Sequence, residues 1–482
     1  MSGRAGRSLT GDGQGLMSSR RIAASHRHMS MAYLLAWLIL ICYGLLMMFS
    51  ASFGISFIQS GSEMRSQAAD LGESLPVRAV LEADATALAR KQILLTMAGA
   101  TLAIMLGSLM QFRQLTRPAF RYILYGVVTA SLIYCRLGGM VINGARRWVD
   151  LGFISFQPSE LAKIGAVFFL AGYFSRRQKA RRQEALKAGR GGPAVSLARQ
   201  AFLDVTWPAF LIGIWIILTL VQPHLSGALI ISLISLIVFF LADIPLKSRL
   251  TGFFQLLALL VVFALVLGFG YQVITKQSSV EYVNERFAHA FKRVGTFVDR
   301  DGASQDDRMQ IEQAELALGT GGLTGKGLGR SVQKLNWLSE AHNDFILPVI
   351  GEELGFIGVA SVIVLFLSFL VFGILIARKA STHMAMLVAA GNTILIAVQA
   401  FLNMAVSVSL IPTTGISLPF FSYGGTANFF FALASGLVLC VSKSAVRTDP
   451  DLERIVVKTR PEVRKTADHE TLDEGDGMGY AV

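Results

Sequence analysis

Charged residues and cysteines are both scarce in this chain. Only 16% of its 482 residues are Asp, Glu, Lys or Arg, whereas 53% are hydrophobic. A soluble protein of this length would need much more polar surface to cover its core, so a soluble globular fold is excluded. The three cysteines all lie inside apolar runs, which predicts small buried side chains and neither a disulfide framework nor a metal cluster.

Long apolar segments dominate the sequence. A helix needs roughly 20 apolar residues to cross a ~30 Å hydrocarbon layer, and ten segments suit such crossings. They lie at about residues 31–50, 93–111, 119–136, 160–175, 204–221, 225–242, 250–272, 344–376, 384–408 and 423–442. The eighth is too long for one perpendicular crossing, so its start is predicted to be amphipathic or re-entrant. About 30 polar residues precede the first, which we expect to be a retained span and not a signal peptide.

The predicted fold class is therefore an all-α polytopic membrane protein with about ten transmembrane helices and a large outer loop between spans seven and eight. Arg and Lys are concentrated in the N-terminal tail, in the loop after span two and in RRQKARRQEALKAGR after span four. Because basic residues collect on the cytoplasmic side, both termini are predicted to be cytoplasmic. The net charge of +12 is then a topology signal, and nucleic-acid binding is not expected.

Three parts follow from this topology. Residues 1–30 form a basic cytoplasmic tail, and residues 31–445 form the transmembrane domain. Two long outer loops, 51–92 and 273–343, belong to that domain. Residues 446–482 are a second cytoplasmic tail, predicted to be disordered because it is polar and charged.

An arginine pair breaks the charge rule on the outer side. Arg146 and Arg147 lie between spans three and four, where they could bind phosphate oxygens in a bidentate way. Trp148 could anchor at the interface or stack on a sugar. Glu160 and Lys163 follow in the first turns of the next helix. The alternative is that the arginines pair with lipid headgroups and that Glu160 and Lys163 form a structural pair.

Four further segments lie on, or next to, the outer side. Residues 293–313 hold four aspartates, any of which could act as a general base, although a solvated charged loop is the simpler interpretation. The glycine-rich stretch 319–329 fits neither a P-loop nor a dinucleotide fingerprint, and it predicts close backbone packing. Residues 338–355 place ionisable groups at the membrane edge without a zinc motif. The prolines and glycines of 411–425 predict broken helix that lines protein or a water-filled cavity, or else a purely structural turn.

A set of short motifs occurs in a fixed order over about residues 30–445. They are GARRW, FQPSELAKI, GGLTGKGLGRSVQK, EAHNDFI, GEELG and PTTGISLPFFSYGG. Together they resemble the SEDS family (shape, elongation, division and sporulation) of ten-span peptidoglycan glycosyltransferases. The stretch LGRSVQKLNWLSEAHNDFI is more similar to members that act in cell division than to those that act in elongation.

The resemblance implies polymerisation of lipid II at the outer face of the cytoplasmic (inner) membrane, at the division septum. A sugar hydroxyl would attack the anomeric carbon of the growing lipid-linked strand and release undecaprenyl diphosphate. An aspartate in the large outer loop would deprotonate the hydroxyl, and arginines would stabilise the departing charge. The implied partners are a class B penicillin-binding protein, other division proteins and membrane lipids. No organic cofactor is expected, although a divalent cation (Mg²⁺ or Mn²⁺) could assist at the diphosphate.

The resemblance also assigns the substrate-binding residues. Six match the family motif directly, namely Arg146, Arg147, Trp148, Gln157, Glu160 and Lys163. Four more come from the later motifs, namely Glu340, His342, Asp344 and Ser422.

The catalytic aspartate aligns less directly. Counting from Phe297 along the commoner family pattern reaches Ala303, which cannot act as a base. Counting back from Gln310 reaches Asp307. We therefore predict Asp307 as the general base, with Asp306 as the second choice.

The chain departs from the family pattern in places. His224 replaces the usual aspartate after Gln222-Pro223, and Ser339 replaces a usual proline. Thr426 and Ala427 stand where two serines are common. His224 and the displaced aspartate keep a non-catalytic division scaffold open. A lipid II flippase is the other alternative, but it would need charged groups near mid-membrane, and the sequence concentrates them at the outer ends.

Overall fold

The computed structural model describes residues 29–70, 84–142, 145–150, 152, 155–189, 195–275, 305–335, 338 and 341–444. Both predicted tails lie almost entirely outside these residues, so the three-part division of the chain stays a prediction. In the described residues the chain is almost entirely helical, as expected when long apolar segments must satisfy their own backbone hydrogen bonds in lipid.

The α-helices are α1 Met31–Asp70, α2 Ala87–Leu109, α3 Phe112–Leu115, α4 Pro118–Gly138, α5 Pro158–Gly189, α6 Leu197–Ala201, α7 Trp207–Val221, α8 Leu225–Leu241, α9 Leu246–Thr275, α10 Gln305–Thr320, α11 Ile346–Arg378, α12 His383–Ser407 and α13 Ala427–Lys443. The strands are β1 Met140–Ile142, β2 Ala145–Asp150 and β3 Ser155–Phe156. A π-helical turn, Phe202–Thr206, joins α6 to α7 without a break.

Each of the ten predicted spans contains a helix. Within the described residues, seven helical segments are long and apolar enough to cross a membrane, and they comprise α1, α2, α4, α6 with α7, α9, α11 and α12. Helices α8 and α13 are apolar but shorter, with 17 residues each. Helix α5 carries Glu160 and Lys163 in its apolar half. The chain is a helical polytopic membrane protein, and the count of ten crossings stays a prediction.

Two regions predicted as loops are partly helical. Helix α1 continues through residues 51–70, because its polar second half contains no proline and suits a helix even where its hydropathy falls. Within 273–343, α9 continues to Thr275 and α10 occupies Gln305–Thr320. The prediction for the cysteines is also partly wrong, since Cys42 is exposed while Cys135 and Cys440 are buried. Hydropathy marks apolar runs, but it shows neither where a polar helix ends nor which face of a span is outward.

Helix α11 is divided where its length led us to expect a division. Gly355 has non-helical backbone angles (φ 67°, ψ −163°), and this separates a short first segment from the long span that follows. Residues 346–353 are all buried, so the first segment is an internal helix and not an amphipathic surface helix.

The glycine-rich stretch packs against this first segment, which confirms the predicted close approach. Lys326 and Gly327 donate backbone hydrogen bonds to the carbonyls of Glu352 and Glu353, each at 2.9 Å. A Cβ added at Gly321 would stand 1.8 Å from the carbonyl oxygen of Gly351. Any residue other than glycine at position 321 would force the backbone to shift.

We expect Gly321→Ala to lower the melting temperature in detergent, with a loss of about 1–3 kcal/mol of stability, because a backbone atom would have to move. Gly319→Ala is the matched control, since a Cβ there would meet nothing within 4 Å and alanine favours the helix. Equal melting temperatures for the two variants would contradict this packing argument.

Candidate functional site

The arginine pair lies in a β-hairpin between α4 and α5. Strands β1 and β2 pair antiparallel, with Val141 opposite Arg146, and β3 extends the sheet. A bulge places Met140 opposite Trp148 while Val141 lies opposite Arg146, so Arg147 has no partner residue in β1. Arg146 donates to the Leu137 carbonyl at 2.8 Å, and Arg147 donates to the Pro223 carbonyl. The two guanidinium groups are therefore held at different places, one at the end of α4 and one at the turn before α8.

Trp148 and Gln157 extend the contacts of this hairpin. The six-membered ring of Trp148 lies against Gly425, at the end of the 411–425 segment. The side-chain nitrogen Nε2 of Gln157 lies 3.3 Å from Nδ1 of His224. The hairpin is thus joined both to the helix-breaking segment and to the turn before α8.

The predicted Glu160 and Lys163 pair forms at the start of α5. Nζ of Lys163 lies 2.7 Å from Oε1 of Glu160, and the residues are only 2% and 6% exposed. Nζ also donates to Oε1 of Gln399 at 2.9 Å and lies 5.8 Å from the centre of the Phe431 ring. Oε2 of Glu160 is buried and has no hydrogen-bond partner among the described residues. The pair is a rigid, desolvated group of charges with one acceptor oxygen still unused.

Two amides on α12 complete the site and were missed in the sequence analysis. Gln399 donates to the backbone carbonyl of Ser417 at 3.4 Å. Asn403, one turn later, donates to the carbonyls of Ile416 at 2.7 Å and Asp344 at 2.8 Å. Two amides four residues apart in an apolar span share one helix face, and buried polar groups in a membrane are costly. That spacing was visible in the sequence and could have indicated them.

The 411–425 and 341–345 segments lie together, as their shared outer position predicts. Tyr423 donates its N–H to the His342 carbonyl at 2.8 Å, and the two rings are 5.7 Å apart. Ser422 is fully buried, donates to the Asn343 carbonyl at 2.6 Å and accepts from the Leu418 N–H at 2.7 Å. The Ser422 hydroxyl therefore fixes the segment from inside.

The remaining predicted residues are placed as follows. Asp344 is half-buried, and one of its carboxylate oxygens lies next to Gly415. Glu340 lies outside the described residues. Asp306 and Asp307 fall in the first turn of α10, where the structure describes the backbone and not the side chains. Carboxylates at that position are stabilised by the helix dipole.

The two glutamates of the GEELG motif are engaged elsewhere. Glu352 pairs with Lys326 at 2.7 Å, and Glu353 pairs with Lys334 at 2.6 Å. Ser50 of α1 donates to Glu353 at 2.7 Å. This cluster fixes the glycine-rich stretch to α1 and α11.

In the described ranges, no three His, Cys, Asp or Glu side chains are grouped so that they could hold a metal ion. These side chains therefore form no cage for a cation.

His224 is a half-buried group next to this site, in the turn between α7 and α8. Burial lowers its pKa to about 3, and the positive charges of Arg147 and Lys163 act in the same direction. The imidazole is therefore neutral at pH 7, where Nδ1 can accept from the Gln157 amide.

We expect this histidine to make folding stability fall as the pH falls. The pKa of 6.5 in the unfolded chain lies above the folded value, so the unfolded chain gains a proton first, between pH 6.5 and about 3. The loss at pH 5 is at most about 2 kcal/mol. Melting temperatures at pH 7 and pH 5 should differ less in His224→Asn than in the wild type. An equal change in melting temperature between pH 7 and pH 5 in both proteins would refute this.

Comparison with known proteins agrees with these motifs. The family model described as "Cell cycle protein", which covers FtsW, RodA and SpoVE, matches residues 30–447. A probable peptidoglycan glycosyltransferase FtsW of Geobacter sp. (strain M18) is 36% identical over 305 residues, which are 63% of this chain and 73% of the relative. One named in the same way from Thioalkalivibrio sulfidiphilus is 32% identical over 315 residues, 65% of this chain and 70% of the relative.

Solved structures show the same fold. The rod shape determining protein RodA of Thermus thermophilus is 24% identical with a TM-score of 0.54, covering 87% of this chain and 98% of RodA. A chain from a study of how a peptidoglycan synthase complex coordinates polymerization and crosslinking is 25% identical with a TM-score of 0.53, covering 84% of this chain and 98% of that one. These matches confirm the SEDS resemblance, and the chain belongs to the FtsW, RodA and SpoVE family of cell cycle proteins.

Proposed function

We propose that this chain is a peptidoglycan glycosyltransferase that polymerises lipid II during cell division. Family membership and the names of its relatives support the reaction class. The observation that carries the proposal is the buried Glu160–Lys163 pair, which joins α5 through Gln399 to the 411–425 segment. Hydrogen bonds join Lys163 to Gln399, Gln399 to the 411–425 segment, and Asn403 to that segment and to Asp344. Such buried polar groups in a membrane indicate function.

The proposed roles of the residues follow from their charges. Arg146 and Arg147 would give the site the positive potential that a departing diphosphate needs. Their guanidinium groups would contact different phosphate oxygens, since the hairpin separates them. The general base, Asp307, would accept the proton of the attacking sugar hydroxyl. Glu160 would hold Lys163 in position without itself contacting the reacting atoms.

The setting and partners are also proposals. The charge distribution supports both termini in the cytoplasm and the site at the outer face of the inner membrane. A class B penicillin-binding protein at the septum would crosslink the strands, in line with the synthase complex whose chain resembles this one. A divalent cation, if needed, would bind through the diphosphate of the substrate.

A direct test is polymerisation of lipid II by the purified full chain in detergent, with and without the crosslinking partner. We expect glycan strands longer than the disaccharide, and released undecaprenyl diphosphate in proportion. Transport of fluorescent lipid II into sealed vesicles without polymer would instead establish a flippase. Co-purification with the partner but no product under either condition would establish a scaffold and refute the proposal.

A further inference from the structure

A cavity of about 260 Å³ lies between the start of α4, the middle of α5 and the start of α12. Among the described residues that line it, four are cations, namely Arg117, Arg121, Arg176 and Lys179, and none is a carboxylate. The segments that form it are those whose charges predict the cytoplasmic side. It is therefore separate from the outer site described above.

Arg121 supplies the buried charge of this cavity. The residue is only 5% exposed, and its Nε has no hydrogen-bond partner among the described residues. Its guanidinium carbon lies 4.7 Å from the centre of the Tyr122 ring and 5.9 Å from that of Phe169. Aromatic faces attract a cation but do not neutralise it, and a buried charge without a counterion is costly.

The surroundings keep this arginine in place and add charge of the same sign. A Cβ at Gly172 would stand 3.0 Å from Cδ of Arg121, so the glycine makes room for the side chain. Arg176 lines the same cavity as Arg121, so two guanidinium groups border one space. Arg117, Arg176 and Lys179 are exposed, so an incoming ligand can reach them. A cavity with four cations and no lining carboxylate favours an anion.

We propose that this cavity binds the phosphate of an anionic phospholipid headgroup in the cytoplasmic leaflet. Guanidinium groups bind phosphate oxygens in pairs, and basic pockets between transmembrane helices bind such headgroups. A soluble phosphate has the same chemistry, but the neighbouring side chains favour a lipid. Phe120, Tyr122 and Ile123 on α4 are 40%, 61% and 63% exposed, which suits contact with acyl chains. The proposal does not depend on the catalytic one.

Native mass spectrometry of the full chain in a neutral detergent tests this site. The protein would be titrated with phosphatidylglycerol, with phosphatidylcholine of the same acyl chains, and with inorganic phosphate. We expect one saturable binding site for phosphatidylglycerol, with an affinity at least about tenfold higher than that for phosphatidylcholine. Arg121→Gln should weaken phosphatidylglycerol binding by about tenfold or more.

Two further variants keep the test decisive. The double variant Arg176→Gln with Lys179→Gln changes only exposed residues, so it should fold even if Arg121→Gln does not, and it should lose the same lipid. Arg378→Gln, an exposed arginine at the end of α11, is the matched control and should bind as the wild type does. Undiminished binding in the double variant, or equal binding of phosphatidylcholine, would overturn the proposal. Displacement of the lipid by equimolar inorganic phosphate would assign the site to a soluble anion.

Discussion

Asp307→Ala is expected to abolish polymerisation of lipid II, with a loss of at least about a hundredfold in rate. A positioned base in a proton transfer contributes that much because no water replaces it with the same geometry and pKa. The first turn of α10 holds both Asp306 and Asp307, so the two can be compared in one setting. Initial rates of glycan formation in detergent measure the effect.

Asp306→Ala is the matched control for this prediction. It removes the same charge from the same helix turn, so both variants should lose no more than about 1 kcal/mol of helix-dipole stabilisation. Similar melting temperatures with different rates would isolate the catalytic role. If only Asp306→Ala is inactive, then the aspartates are assigned in the wrong order. Full activity in both variants would eliminate a base at this position.

Lys163→Met is expected to destabilise the protein by about 3–5 kcal/mol, because it leaves Glu160 as an uncompensated buried charge. The bond from Lys163 to Gln399 would break as well, which removes one link between α5 and the 411–425 segment. We therefore expect a large fall in melting temperature together with loss of polymerisation.

The double variant Glu160→Gln with Lys163→Met separates these two consequences. It removes both charges, so much of the lost stability should return while activity stays low. Lys187→Met is a control in the last turn of the same helix, where an exposed side chain should contribute no more than about 0.5 kcal/mol. The stability losses of Glu160→Gln and Lys163→Met can also be measured singly. If they add up to the loss in the double variant, the buried pair does not act as a unit.

The sequence predicted the helices well and their polar extensions poorly. Apolar runs locate the spans, since lipid requires them, but residues 51–70 form a helix with little apolar periodicity to reveal it. The Glu160 and Lys163 pair was predictable from its i, i+3 spacing. The bond from Lys163 to Gln399 joins residues 236 positions apart, and no local pattern encodes such a contact.

The arginine pair shows a different limit. The sequence places Arg146 and Arg147 side by side, which suggests joint binding of one phosphate. The structure holds them at different places, since Arg146 donates to the carbonyl of Leu137 and Arg147 to that of Pro223. Whether two adjacent residues can act together depends on the local secondary structure. The sequence of a six-residue strand does not reveal that structure.

Helix α5 is long enough to fix its own position along the membrane normal. Its 32 residues extend about 48 Å, well beyond a hydrocarbon thickness of about 30 Å. One part carries the buried Glu160–Lys163 pair, and the part after Ser175 carries six Arg and Lys residues that cannot enter hydrocarbon cheaply. A shift of α5 by one turn along its axis would move these cations into the hydrocarbon layer. The depth of the Glu160–Lys163 pair is thus set by charges about 20 Å or more away on the same helix.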